Sequence, residues 1–475
     1  MSLKDLAAKK TIGLFADQAI KYIRKNPDKD LSVLAGRAVS VFGGMFPKSK
    51  LDGIKRGAAD PNNPYYKLIK NMLTHVDANI IRTLAMTLAY EAGYKGTREV
   101  RHNRETLGCN VPWLILLDPT SACNLRCKGC WAAEYGHNLS LTLEEMQSVV
   151  SQAKALGVRL FMFTGGEPLI RKRDLITLCE NNRDCTFLAY TNATLIDDAF
   201  CRDLVRVGNF ILALSVEGTR ESNDARRGDG AYDVTMHAMD LLRRYGCFFG
   251  VSVCYTRENV DYVTSDDFID ELIAKGALFS LYFNYMPVGK DADKALIPSP
   301  AQRKYMYYWI KRTRGAKTGK PMFVFDFQDD GEYVGGCIAG GRNYFHINSR
   351  GDMEPCVFIH FSDANIREKS LLEGLRSPLF MAYRDGQPFN DNHLRPCPML
   401  ENPDKLREIV KRTGARSTDL IAEESVDELC GKCDDFAKAW QPVADELWRS
   451  NPHPKIHTQY ARDNGKLIYS DPKKL

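Results

Sequence analysis

The sequence predicts an α/β protein: a parallel sheet flanked by helices, set between an all-helical N-terminal segment and a cysteine-rich C-terminal extension. Three observations carry this. Between residues 110 and 290, six short apolar stretches alternate with amphipathic ones, the pattern of successive βα units. Before residue 105 every apolar pattern has helical spacing. From about residue 320, Gly, Pro and Cys become frequent, as in "GGCIAGGRNYFHINSRGDMEPC". The alternation alone allows a sheet that is open and doubly wound or one curled towards a barrel. It divides the chain into residues 1–105, 106–315 and 316–475.

In the first segment, Ile12, Phe15, Ala16, Ala19, Ile20 and Ile23 recur at helical spacing, and Pro27 stops the pattern. "NPYYKLIKNMLTHV" and "NIIRTLAMTLAYEAGY" continue as helices, and no strand is expected before residue 110. "WLILLD" (113–118) is then a fully apolar strand. Thr142 with Glu145 forms a capping box that opens a helix, and Gly157 is placed to close it. Strands follow at 159–163, 186–190, 210–216, 248–255 and 278–285. The helices "RDLITLCEN", "DDAFCRDLVRV", "AYDVTMHAMDLLRRYG" and "DDFIDELIAKG" lie between them. The tail after 400 is charged and partly helical.

Composition limits the function. A chain of 475 residues, 44% apolar, has ample material for a large core. Residues 1–57 hold twelve Lys/Arg and five Asp/Glu, a net of +7, so the remainder of a +5 chain is −2. No apolar run approaches ~18 residues, so no membrane span is expected. "MSLKDLAAKK" has no continuous apolar region, so no secretory signal is expected. Fourteen cysteines without an export signal imply a cytoplasmic, reducing setting, in which clustered thiols serve metal or redox chemistry.

The first cluster is "DPTSACNLRCKGCWAAEYG", with Cys123, Cys127 and Cys130 in the loop after the first strand. Function in βα-repeat folds sits at the C-terminal ends of strands. A structural zinc site takes four ligands, whereas three thiolates can hold three irons of a four-iron cluster and leave the fourth open. A zinc knuckle or buried structural thiols is the alternative. After the second strand stands "TGGEP" (164–168). Gly165 and Gly166 allow close backbone approach to a ligand and expose amides, Glu167 offers a carboxylate to an ammonium group, and Pro168 fixes the turn.

With these residues the sequence resembles the radical S-adenosylmethionine (SAM) superfamily, over roughly residues 110–290. The resemblance implies a partial (β/α)6 barrel in which Cys123, Cys127 and Cys130 bind a [4Fe-4S] cluster. SAM then chelates the unique iron, and reductive cleavage yields methionine and a 5′-deoxyadenosyl radical that abstracts substrate hydrogen. It implies an enzyme of oxidoreductase or transferase type and a low-potential electron donor of flavodoxin or ferredoxin type. Ser215 and Glu217 in "SVEG" match the segment that touches SAM. Arg227 in "ARRGDGAY" is placed to pair with the SAM carboxylate, and Asn192 is a polar neighbour. The sequence departs from the family where many members carry an aromatic before the third cysteine: here stands Gly129, and Trp131 follows.

Cys337 and "GDMEPC" with Cys356 resemble the opening of a SPASM/twitch extension, followed by Cys397, Cys430 and Cys433. Four of the five would hold one auxiliary [4Fe-4S] cluster; a zinc ribbon is the alternative. Cys109, Cys179, Cys185, Cys201, Cys247 and Cys254 are expected as small buried hydrophobes. His102 and His137 are expected to be packed or solvated, and Tyr255, Tyr282, Tyr285 and Met286 to be core or to line a substrate cavity. No catalytic side chain is assigned.

The substrate is expected to be a peptide or a membrane lipid. The N-terminal segment lacks the strands of a leader-peptide module. Lys9, Lys10, Lys21, Arg24 and Lys25 beside the first helix's apolar face suit either peripheral contact with an anionic membrane or a helix capping the barrel. No dedicated nucleic-acid module is seen. A non-enzymatic iron–sulfur carrier or scaffold would explain the C-terminal cysteines and leave Gly-Gly-Glu-Pro without a role.

Overall fold

The structure, a computed structural model, describes residues 3–26, 30–42, 48–289, 292–451, 461–463 and 466–468. Its centre is a nine-stranded sheet. Seven strands follow one another in sequence and in space: β1 (Leu114–Leu117), β2 (Leu160–Phe163), β3 (Thr186–Thr191), β4 (Phe210–Ser215), β5 (Phe249–Tyr255), β6 (Phe279–Asn284) and β7 (Phe323–Asp326). Each pair from β1 to β7 is parallel. β8 (Tyr344–Ile347) returns to lie parallel to β1 on its other side, and β9 (Met353–Glu354) is antiparallel to β8. Among the described residues β7 and β9 remain edges, so the sheet is a partial barrel that does not close on itself.

The six expected strands are present as β1 to β6. β7, β8 and β9 were not expected, and all three come from beyond residue 316, so the extension shares the core's sheet. Each has four residues or fewer and is bounded by Gly-rich or polar turns. Such runs carry too little periodicity to stand out.

Alternation along the strands gives the sheet two faces. Ile115, Leu117, Phe161, Phe163, Phe187, Leu212, Leu214, Val251 and Val253 point outward and form one core with the surrounding helices. One of these, Leu143–Ala155, opens with the expected capping box: Glu145 N–H donates to Thr142 Oγ1 (3.1 Å) and Thr142 N–H to Glu145 Oε2 (2.8 Å).

The inner face is covered from both ends. Towards the strands' N-terminal ends, Leu188, Ile211, Ala213 and Phe279 pack against Ala19, Ile20, Ile23, Leu73, Ile80 and Leu84 of the N-terminal helices. Ile23 is fully buried, and Ile12 and Ala16 are buried with it. The first helix (Leu3–Lys25) therefore uses its apolar stripe to cap the barrel. Lys9 pairs with buried Glu91 at 2.9 Å, and Arg24 donates to the carbonyls of Leu73 and Val76. Towards the C-terminal ends, Leu116, Tyr285 and Met286 form a core with Val357, Phe358, Leu379 and Trp440 of the extension. Among the described residues no helix is long and apolar enough to cross a membrane.

Candidate metal centres

The first cysteine loop leaves β1 at its C-terminal end and is seated on the turn after β2. Gly166 N–H donates to the carbonyl of Thr120 (3.0 Å), and Glu167 N–H to that of Ala122 (2.8 Å). Gly165 has φ +99°, and a Cβ on Gly166 would lie 2.1 Å from Ala122 O. The glycines thus permit close approach to the cysteine loop, and the Gly166 and Glu167 amides are taken up by it. The sequence expectation had these groups facing a ligand.

Glu167 differs from expectation in the same way. Its carboxylate is buried and accepts from Leu169 N–H (2.9 Å), Thr191 Oγ1 (2.7 Å) and Asn192 N–H (2.8 Å). Burial raises its pKa, and these hydrogen bonds offset only part of the rise. It ties the turn to the loop after β3, while Pro168 opens the short 3-10 turn Pro168–Arg171. Asn192 Nδ2 donates to Asn124 Oδ1 (2.8 Å) and lies 3.9 Å from Cys123 Sγ.

Arg227 is placed beside the loop, 3.9 Å from Cys127 Sγ, but its fork is occupied. Nη2 donates to Glu217 Oε1 at 2.7 Å, and Nε donates to the other oxygen. Arg226, which the sequence reading missed, donates to Glu217 Oε1 at 2.7 Å. Burial opposes the charge on Glu217, but Arg227 and Arg226 outweigh it and hold the carboxyl below the usual range. Ser215 ends β4 and is half-buried. Lys128 N–H donates to Arg226 O (2.8 Å), joining the cysteine loop to this arginine pair.

Cys123, Cys127 and Cys130 are partly exposed. Burial pushes the Cys123 thiol up to about 11, with the neighbouring Cys130 and Cys127 thiols adding to the rise. Leu125 N–H points at Cys123 Sγ (3.4 Å). A mutually close set of thiols, approached by an amide, a carboxamide and a guanidinium, suits a group that brings negative charge to the sulfurs. Gly129 has φ +66°, and a Cβ there would lie 2.8 Å from the Tyr285 ring. The ring of Tyr285 thus fills the space beside residue 129.

Trp131, just after the third cysteine, packs into an aromatic cluster. Tyr135, His346, Phe358 and His360 surround it with ring centroids 5.8–6.2 Å away. Beside it lies a buried polar network that the sequence reading did not find. His346 Nε2 lies 2.9 Å from Asp118 Oδ1, and Nδ1 lies 2.7 Å from Glu354 Oε2. Glu354 also accepts from Tyr135 OH (2.7 Å), Asn348 Nδ2 (2.8 Å) and Thr418 Oγ1 (2.5 Å). Burial lowers the pKa of His346, but Asp118 and Glu354 outweigh it and push it up to about 10. His360 Nδ1 meets Asp419 Oδ1 at 2.6 Å.

The remaining candidates divide. Tyr255 and Tyr282 belong to the outer core, Tyr285 and Met286 to the inner one. His102 is exposed and His137 half-buried. Cys109, Cys179, Cys185, Cys201 and Cys247 are buried core thiols, as expected. Cys254 is half-buried on the inner face, within electrostatic reach of Arg226, Glu217 and Cys130.

The second group is enclosed. Cys356, Cys430 and Cys433 are buried, and Cys337 and Cys397 are partly so. Tyr344 OH lies 2.7 Å from Cys356 Sγ, and the amides of Met399 and Leu400 each point at Cys397 Sγ at 3.4 Å. Burial pushes Cys337 up to about 11 and Cys356 and Cys430 up to about 12. The hydroxyl of Tyr383 is buried within electrostatic reach of Cys337, Cys356, Cys397 and Cys430 and has no hydrogen-bond partner among the described residues. An orphaned donor among thiols fits a sulfur-rich group held by them. Among the described residues no three His, Cys, Asp or Glu side chains converge on one point as the ligands of a single ion do. A four-iron cluster spreads its ligands over separate irons, so its cysteines need no such convergence.

The chain is similar in sequence and fold to known proteins. Residues 117–269 match the Radical SAM superfamily model. The AdoMet-dependent heme synthase of Methanosarcina barkeri is 25% identical over 293 residues, 56% of this chain and 82% of that protein. The mycofactocin maturase MftC of Mycolicibacterium smegmatis is 26% identical over 299 residues, 59% of this chain and 74% of that one. Among solved structures, Streptococcus suis SuiB bound to the precursor peptide SuiA aligns with TM-score 0.53 at 18% identity. The alignment covers 75% of this chain and 81% of that one, and indicates a shared fold.

Proposed function

Taking as premise that residues 117–269 form a radical SAM domain, we propose that this enzyme generates a substrate radical at the strand ends beside the Cys123, Cys127 and Cys130 loop. Cys123, Cys127 and Cys130 hold the [4Fe-4S] cluster that takes SAM. Four of Cys337, Cys356, Cys397, Cys430 and Cys433 hold one auxiliary [4Fe-4S] cluster. When bound and reduced, the first cluster supplies the electron that cleaves SAM to methionine and a hydrogen-abstracting 5′-deoxyadenosyl radical.

The chain's own residues do the rest. Gly165 and Gly166 seat the cysteine loop, and Asn192 and Arg227 steady its sulfurs from two sides. Glu217 keeps both guanidiniums in place. The extension covers the strand ends and excludes water from a reactive centre. In this reading residues 1–105 cap one end of the barrel, 106–315 carry the reaction and 316–475 hold the auxiliary cluster. The enzyme works in the cytoplasm and draws electrons from a flavodoxin or ferredoxin type donor.

The observation that carries the proposal is the seating of the three-cysteine loop on the Gly165–Gly166 turn, at the C-terminal ends of β1 and β2. A peptide is the substrate class we favour, because MftC is a maturase and SuiB is bound to a precursor peptide. A membrane lipid is the second reading, favoured by the +7 charge of residues 1–57, though the first helix's apolar stripe already caps the barrel. The test is anaerobic incubation of reconstituted, dithionite-reduced protein with SAM. Formation of 5′-deoxyadenosine supports the proposal; intact SAM in protein carrying its full iron content counts against it.

A further inference from the structure

Two tyrosine hydroxyls reach into the C-terminal cysteine group, and only one has a partner. Tyr344 OH is matched to Cys356 Sγ at 2.7 Å. Tyr383, on the helix Pro378–Gly386, has its hydroxyl fully buried and unmatched. Its position is fixed by packing. Phe389 meets its ring edge-on at 5.4 Å. Gly340 gives it room, since a Cβ there would fall 2.5 Å from Tyr383 Cβ. Gly340 lies three residues after Cys337, and its N–H donates to Pro355 O (2.8 Å), next to Cys356. Tyr383 is thus wedged against the backbone that joins two of the cysteines, and its hydroxyl lies within electrostatic reach of Cys337, Cys356, Cys397 and Cys430.

A buried hydroxyl without a partner has given up its hydrogen bonds to water and gained none in return. Packing that imposes this on a tyrosine, where a phenylalanine would fit the same walls, implies a partner that no protein atom supplies. Resting on the reading that these cysteines hold an auxiliary cluster, we propose that Tyr383 donates a hydrogen bond to that cluster and thereby sets its reduction potential. Reduction adds negative charge to the cluster sulfurs, so a donor aimed at them stabilises the reduced form and raises the potential. Tyr383 is a positioning and tuning residue: it touches no substrate.

The experiment uses full-length Cys123→Ala/Cys127→Ala/Cys130→Ala protein, in which the auxiliary cluster is the remaining one. Iron is counted, the midpoint is measured by EPR-monitored titration, and coupling of exchangeable deuterons to the reduced cluster is read in D2O. Tyr383→Phe is expected to keep about four irons per chain, to shift the midpoint to a more negative value and to lose one deuteron coupling. Phe389→Leu, which disturbs the ring's packing but keeps the hydroxyl, is expected to keep both. An unchanged midpoint and coupling in Tyr383→Phe, or an equal shift in Phe389→Leu, overturns the role of Tyr383 and leaves the cluster standing. Absence of any deuteron coupling in the parent overturns it without recourse to a variant. A parent without iron overturns the auxiliary cluster, and the role of Tyr383 with it.

Discussion

The two cysteine groups are built on opposite plans. Cys123, Cys127 and Cys130 occupy a partly exposed loop held down by backbone hydrogen bonds to a glycine turn. The C-terminal five sit among packed helices and aromatic rings, with Cys430 and Cys433 fully buried. The first group has three thiols and an accessible edge, as a centre needs when a second molecule must reach its metal. The second has more thiols than a four-iron cluster needs and less access, since Cys356, Cys430 and Cys433 are buried while Cys337 and Cys397 are partly exposed. Charged side chains stand near both. Arg226 and Arg227 converge on one buried carboxylate beside the open group, and Arg342, Arg407 and Lys432 lie within electrostatic reach of Cys337, Cys430 and Cys433. Hydroxyl and amide donors approach the closed group as well.

The largest expected effect tests whether the groups are independent. Changing Cys123, Cys127 and Cys130 together to Ala should lower iron from about eight to about four per chain. Loss of all iron, or zinc in the remaining sites, would break the comparison. Gly166→Ala comes next. Its Cβ would meet the Ala122 carbonyl at 2.1 Å, so the cysteine loop must lift off. Overpacking of this kind costs about 1–3 kcal/mol or more. The open cluster should load poorly while the closed one loads normally, which iron counts and EPR report separately.

Glu217→Gln leaves two buried guanidiniums facing a neutral amide. Breaking a buried pair costs about 3–5 kcal/mol, and a shift of the denaturation midpoint with an unchanged slope would measure it. A smaller effect depends on pH. His346 has its folded pKa raised from 6.5 to about 10. Its contribution is therefore complete below pH 6.5 and is lost as pH rises through about 10, a change on the order of a few kcal/mol. Stability measured across that window should fall in the parent and fall less in His346→Gln. The least direct test of the comparison concerns the N-terminal cap. With its apolar stripe packed on the sheet, residues 1–57 offer an electrostatic attraction on the order of 3–4 kcal/mol if about half their excess charge faces lipid. Co-sedimentation should show weak binding to anionic vesicles, abolished by salt, and none to neutral ones. Salt-resistant binding would mean that the stripe leaves the barrel.

Much of this was legible in the sequence because it is local. The six strands, the capping box at Thr142 and the first cysteine group are set by residues within a few positions of one another, whereas the second group is spread from Cys337 to Cys433 and was legible only through its resemblance to a known extension. What escaped was long-range. His346 and Glu354 reach Asp118 only because β8 returns beside β1, and nothing in "FHIN" or "GDMEP" signals that. The occupation of Arg227 by Glu217 was hidden because both residues are types suited to bind the ligand itself. The glycine turn was located correctly, but its close approach is to another loop, which spacing alone cannot distinguish from a ligand. The vacancy at Gly129 gave no hint of its occupant, since Tyr285 comes from the end of β6.

The contrast between an open and a closed centre is tested most directly by adding SAM to the dithionite-reduced protein and recording EPR. In the parent, SAM should alter one of two overlapping cluster signals and leave the other untouched. In the Cys123→Ala/Cys127→Ala/Cys130→Ala protein, the remaining signal should not respond to SAM at all. A response in that variant, or none in a fully loaded parent, would contradict the assignment of the open site to Cys123, Cys127 and Cys130.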